Sequence, residues 1–226
     1  MRLLTRIVIE GGDLDRYFRQ VATLCPFLEP AMRNGTLIVY AWDGSAAQRA
    51  LPGVSAEEWL FALAVILSER SLRREGSKTA GVLFSENILC TGLPAAEPHA
   101  FVYPHWAIKC MYRQSGLVYG KFMAGRAATQ DGDVSNVADL FTIRKLTKPS
   151  KEARFYEPSE LLHEHFQNQA AVPEYEGLLQ AVAAAVSADL IRHEISDSTL
   201  VQSVRLLECA RVYHRALTAA KELYGQ

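Results

Sequence analysis

The sequence predicts an α+β protein, with α/β as the neighbouring alternative: a mixed sheet covered by helices, followed by an α-helical hairpin subdomain. Three observations carry this expectation. Short β-branched runs alternate with helical patterns as far as Leu146. The clearest strand is Thr36–Asp43, TLIVYAWD, and the clearest helix opens at Ser55, with Trp59, Leu60, Leu63, Ile66 and Leu67 at helical spacing. Beyond Glu157 only helical patterns remain. The boundary falls in Thr147–Glu157, giving a mixed domain over 1–150 and a helical subdomain over 151–226.

In chain order, Leu3–Ile9 reads as a strand ended by Gly11-Gly12, and Asp13 caps a helix to Leu24 with Leu14, Phe18 and Val21 on one face. Cys25-Pro26-Phe27 breaks it, because proline cannot continue the hydrogen-bond ladder. A short helical turn runs to Arg33, and Asn34-Gly35 turns into the strand Thr36–Asp43. The Ser55 helix runs to Arg73 and is closed by Gly76. Thr79–Ser85 is expected as a strand, Asn87–Pro98 as loop, and Ala100–Tyr103 as a short strand. Pro104 is placed as the first residue of a helix reaching Gln114. Leu117–Phe122 is a strand, Ala127–Val137 a polar loop, and Asp139–Leu146 a strand with Leu140, Thr142 and Arg144 on one face. Helices follow over Ser159–Asn168, Glu174–Glu194 and Thr199–Tyr224. The last two are read as an antiparallel hairpin whose apolar stripe covers the sheet domain or a second copy, as in a homodimer.

The chain of 226 residues is 49% apolar and 22% charged, which excludes global disorder. Its net charge of −1 argues against nucleic acid or an acidic membrane surface as partner. The basic group Arg70, Arg73, Arg74 and Lys78 is read as complementing a helix C-terminus. No signal peptide and no membrane-spanning run is evident. Cys25, Cys90, Cys110 and Cys209 are scattered, as expected of reduced thiols in the cytoplasm.

Pro98–Gly125 mixes histidine, cysteine, methionine and aromatics, a composition that suits a pocket. His105 stands there as a metal ligand, an acid/base group or a carboxylate binder, with Lys109 one helical turn away. The alternative is a histidine packed between Tyr103 and Trp106. Cys25, before a proline, is a potential soft ligand to iron or a small buried hydrophobe. Arg144, on a half-buried strand, needs an anion: Asp139, a glutamate, or a substrate carboxylate. On the tail, Glu160 and His163 are spaced i, i+3 and Asp189 and His193 i, i+4, which would suit an iron or manganese site between helices. Surface charge neighbours are the simpler reading. No Gly-x-Ser-x-Gly elbow or phosphate-binding glycine fingerprint is present.

Cys25-Pro26-Phe27, Tyr103-Pro104-His105, Gly120-Lys121-Phe122 and Phe141-Thr142-Ile143-Arg144 occur in an order that resembles an uncharacterised bacterial family. That family has an early Cys-Pro-Phe, a central Pro-His-aromatic segment, and a Gly-x-Phe before an apolar strand ending in arginine. More remotely, the pattern is similar to haem-dependent N-oxygenases of guanidine or amine nitrogens. The resemblance spans roughly residues 20 to 146. It implies a haem site formed from Cys25, His99, His105, Tyr103 and Trp106, with His105 and Arg144 catalytic and Arg144 anchoring a substrate carboxylate. Where the haem enzymes carry Gly-x-His-Pro, the nearest segment here is Gly92-Leu93-Pro94, so another residue serves or haem has been lost.

The leading expectation is therefore a small-molecule enzyme, haem-dependent and oxidative, acting on an amine- or guanidine-containing metabolite. The alternatives are a non-haem iron or manganese enzyme using the tail, and a non-catalytic binding or assembly protein.

Overall fold

The residues Leu37–Asp43 are apolar up to the closing aspartate, and both sides of the strand they form are covered: Ile38, Tyr40 and Trp42 are buried on one face and Val39 on the other. The computed structural model describes residues 3–24, 28–74, 84–93, 100, 102–112, 115–123, 127–129, 132–135, 139–145, 181 and 184–185. Along these the chain runs β1 (Leu4–Ile7), α1 (Gly12–Leu24), α2 (Leu28–Arg33), β2 (Leu37–Asp43), α3 (Gly44–Ala50), α4 (Ala56–Arg74), β3 (Ser85–Thr91), α5 (Val102–Met111), β4 (Leu117–Phe122), β5 (Ala127–Thr129), β6 (Gly132–Ser135) and β7 (Asp139–Lys145). Five strands form one mixed sheet in the order β1-β2-β3-β7-β4, and β5 and β6 form a separate hairpin. Only β2 and β3 pair in parallel, through the α3–α4 crossover that a parallel pair requires. The architecture is the expected α+β mixed sheet with helices.

Period-two alternation divides the sheet into two faces. On the first, Tyr40, Trp42, Ile88, Tyr119, Phe141 and Ile143 pack under α3, α4 and α5. On the second, Val39, Leu89 and Leu140 pack under Tyr17, Phe18, Val21 and Leu28 of α1 and α2. Each fully buried Leu or Phe in these layers contributes about 1.5–3 kcal/mol.

α4 begins as its sequence dictates. The Ser55 N–H donates to Glu58 Oε2 at 2.8 Å and the Glu58 N–H donates to Ser55 Oγ at 3.2 Å, a reciprocal capping box. Every residue from Trp59 to Ser71 is buried, so the helix has no solvent stripe. From Trp59 to Leu67 it is apolar throughout, with Trp59 tilted against Trp42 at 6.4 Å between ring centroids. Its second half carries polar side chains inward. Ser68 Oγ lies 2.9 Å from Tyr119 Oη, and Tyr112 Oη donates to Glu69 Oε1 at 2.6 Å. Arg70 meets Glu86 of β3 at 3.7 Å and bonds the Tyr40 hydroxyl, with both charged side chains under 5% exposed.

Several expectations are corrected here. Arg70, read as complementing a helix C-terminus, is a core residue paired with Glu86. The strand expected at Thr79–Ser85 falls mainly outside the described residues; β3 instead occupies Ser85–Thr91, where loop was expected. Its Glu86 and Asn87 disguised it, since both are buried polar groups held by partners. Val102 and Tyr103 belong to α5, not to a strand, and Pro104 sits in that helix's first turn, where no amide donor is needed. The loop expected at 127–137 holds β5 and β6, and α3, capped by Asp43 Oδ1 accepting from the Ala46 N–H, was not foreseen.

No described helix is long and apolar enough to cross a membrane. Of the expected C-terminal helices only Ala181, Ala184 and Ala185 are described; all three are helical, and Ala185 packs on the α4 side of the core.

Candidate functional site

The antiparallel pairing of β3 with β7 sets Ser85 opposite Arg144 and Asn87 opposite Thr142. All four point to the α1 face, because alternation places Glu86 and Ile88 on the other. β4 continues this floor with Val118 opposite Arg144 and Gly120 opposite Thr142. Phe18, Val21 and Leu28 roof it, and Phe122 and Leu140 wall it, around a partly open cavity of about 90 Å³. The four polar floor residues are each no more than 9% exposed. A small apolar chamber with a few convergent polar groups is the usual form of a ligand site.

Asn87 is fixed in place. Its Nδ2 has three acceptors in reach, the Ile38 carbonyl at 3.1 Å, Ser85 Oγ at 3.2 Å and the Ser85 carbonyl at 3.3 Å, and Ser85 Oγ lies 3.5 Å from Oδ1. Gly120 is needed for room. Its backbone is not in the left-handed region, but a Cβ there would stand 2.6 Å from Thr142 Oγ1. Arg144, in a low-dielectric setting beside two hydroxyls and an amide, is the cavity's cation. Strand alternation assigns Asp139 to the opposite face from Arg144, whose Nη1 donates to the Lys145 carbonyl at 3.5 Å.

His105 lies elsewhere. It is buried on the α4 face, with its ring edge against Phe141 at 6.0 Å and Nε2 3.2 Å from the Tyr119 carbonyl. A carbonyl only accepts, so the neutral ring carries its proton on Nε2. Burial first, then the charges of Lys109 and Lys121, lower its pKa to about 3 against the opposing pull of the Tyr119 hydrogen bond. A histidine so held is neutral at physiological pH and packed as a core side chain. The sheet stands between it and Arg144, so the expected catalytic pair is not brought together. Tyr103 and Trp106 lie on α5 with His105. Cys25 and His99, and the tail residues Glu160, His163, Asp189 and His193, lie outside the described residues. Among the described residues no cluster of three or more His, Cys, Asp or Glu could hold a metal ion.

Pro98–Gly125, read as one pocket-forming stretch, is split by the sheet: α5 fills the α4 face, while Val118, Gly120 and Phe122 of β4 reach the cavity. Ser85, Asn87 and Gly120 were not anticipated as site residues. The available signal was the Ser-x-Asn spacing ahead of Ile88-Leu89-Cys90, which matches Thr-x-Arg on Asp139–Lys145. A second, open cleft of about 570 Å³ lies between β1, α1 and α2, but its Asp15–Arg19 and Glu29–Arg33 neighbourhood is a set of surface ion pairs.

No family model, curated protein or solved structure matches the chain. The resemblance to the bacterial family and to the haem N-oxygenases therefore stands on the short motifs alone.

Proposed function

We propose that the chain is a small-molecule protein whose α1-face cavity binds a compact anion, with Arg144 as the anchoring cation. The observation that carries this is the convergence of Ser85, Asn87, Thr142 and Arg144 on one buried floor beneath an apolar roof. Guanidinium recognition of a carboxylate by paired, charge-assisted hydrogen bonds is the chemistry such a floor offers. Arg144 is the only charged residue among the cavity's described lining, which includes no carboxylate, histidine or cysteine, so binding is the primary reading and an enzymatic step would draw its acid or base from elsewhere.

Haem-dependent N-oxygenation gains no support from these residues. The cavity is several-fold smaller than the roughly 300–1,000 Å³ of ordinary cofactor and ligand pockets, and His105 faces away from it. That reading now depends on Cys25 or His99. Thermal unfolding of the full chain with small carboxylates and inorganic phosphate tests the anion reading. We expect a concentration-dependent rise in Tm for the wild type and none for Arg144→Gln; equal shifts in both proteins, or none in either, would sink it. A Soret band on haem addition, lost in Cys25→Ser, would restore the oxygenase reading instead.

A further inference from the structure

We propose that the Thr142 hydroxyl recognises the cavity's ligand, and that what it seats is a short hydrocarbon chain bearing one hydrogen-bonding oxygen. The inference rests on the same cavity as the anion reading above, but not on Arg144. It starts from the neighbours of Thr142 in the sheet, since cross-strand residues are the usual partners of a strand hydroxyl. Here they are Asn87 on β3 and Gly120 on β4. The Asn87 amide is turned the other way: its Nδ2 is taken up by the Ile38 and Ser85 carbonyls and Ser85 Oγ, all within 3.3 Å. Gly120 has no side chain to offer, and Thr142 Oγ1 leans over it, 2.6 Å from where a Cβ would stand. Among the described residues no hydrogen bond reaches this hydroxyl, although Thr142 is only 9% exposed.

Thr142 and Gly120 both line the cavity, so the hydroxyl is a polar atom left for whatever enters. A buried hydroxyl without a partner is unfavourable, and a ligand oxygen that meets it removes that cost. A hydroxyl both donates and accepts, so an alcohol or a carbonyl oxygen serves alike. The walls and roof are hydrocarbon, from Phe18, Val21, Leu28, Phe122 and Leu140, and favour an alkyl body. Size sets the bound. An apolar cavity of about 150 Å³ holds benzene, so about 90 Å³ seats roughly three or four heavy atoms.

Methyl-resolved NMR titration of the full chain with propan-1-ol and 1-chloropropane tests the assignment, because the probes match in heavy atoms and only the alcohol hydrogen-bonds strongly. The alcohol is the better hydrated of the two. The readout is therefore the ratio of their affinities in the wild type against the same ratio in Thr142→Val, in which hydration cancels. Valine keeps the branched shape that suits a strand. We expect the ratio to move about tenfold towards 1-chloropropane in Thr142→Val, the worth of one buried hydrogen bond. It should stay at the wild-type value in Thr142→Ser, which keeps the hydroxyl. An unchanged ratio in Thr142→Val, or binding of neither probe, overturns the inference. Propionate, titrated alongside, separates it from the anion reading. Propionate binding lost in Arg144→Gln supports that reading whatever the neutral probes do, and propionate binding indifferent to Arg144 overturns that reading alone.

Discussion

The hydroxyl oxygen of Thr142 lies 2.6 Å from the point where a side chain on Gly120 would begin. The two residues face each other across the β4–β7 pairing, so glycine at 120 is what lets the threonine hydroxyl lie on the cavity floor. Gly120→Ala is expected to cost about 1–3 kcal/mol, the range for overpacking a tight site. Adding Thr142→Ala should recover much of that loss. Urea unfolding of the two single variants and the double variant measures the coupling, and strict additivity would show that the contact is not shared.

The buried pair Arg70–Glu86 gives a second test. Glu86→Gln leaves the guanidinium buried with Tyr40 and no carboxylate, and is expected to cost about 3–5 kcal/mol. Replacing both, as Arg70→Met with Glu86→Leu, removes the stranded charge and should be markedly less harmful than the sum of the single changes. Unfolding midpoints followed by circular dichroism read out all four proteins.

His105 should make the fold acid-sensitive. Its folded pKa is lowered from 6.5 to about 3, so across that window the unfolded chain takes up a proton that the folded chain refuses. The stability from the neutral ring is complete above pH 6.5 and is lost as pH falls towards 3. The slope from this group reaches at most about 1.4 kcal/mol per pH unit. His105→Gln keeps a donor for the Tyr119 carbonyl and should flatten unfolding free energy between pH 7 and pH 4; an unchanged slope would assign the acid sensitivity to other groups.

Cys90 should be inert in the folded protein. It is buried on the α4 face, and burial, reinforced by the negative charge of Asp139, pushes its thiol well above the ordinary range. Peptide-resolved mass spectrometry after iodoacetamide treatment should find Cys90 unmodified in native protein and labelled once urea is added. Rapid native labelling would contradict the packing around β3.

Much of the frame was legible because pattern and packing agree in it. Thr36–Asp43 is an unbroken run of β-branched, aromatic and other apolar residues, Ser55 and Glu58 spell a capping box, and Asp139–Lys145 shows which side Arg144 takes. β3 was missed because Ser85, Glu86 and Asn87 look like turn chemistry until their partners are known: Arg70 for Glu86, and the Ile38 and Ser85 carbonyls for Asn87. Those partners are distant in sequence, and no local rule supplies them. The side of the sheet that His105 takes was illegible for the opposite reason. Its neighbours in sequence suggest a pocket, but which side of a sheet a helix covers depends on the strand order, which Val102–Met111 does not encode by itself. The unbroken apolar run Trp59–Leu67 already signalled a helix buried all round, although only one stripe of it was read as such.

β7 closes the five-stranded sheet from between β3 and β4, although both precede it in the chain. During synthesis, one edge of β3 and the pairing edge of β4 wait without their ladder partner until residues 139–145 have left the ribosome. Unpaired edges of that kind recruit other chains. A message cut short before Asp139 would therefore yield a polypeptide that lacks not a peripheral piece but the keystone of its sheet, and quality-control proteases rather than the native fold would be its destination.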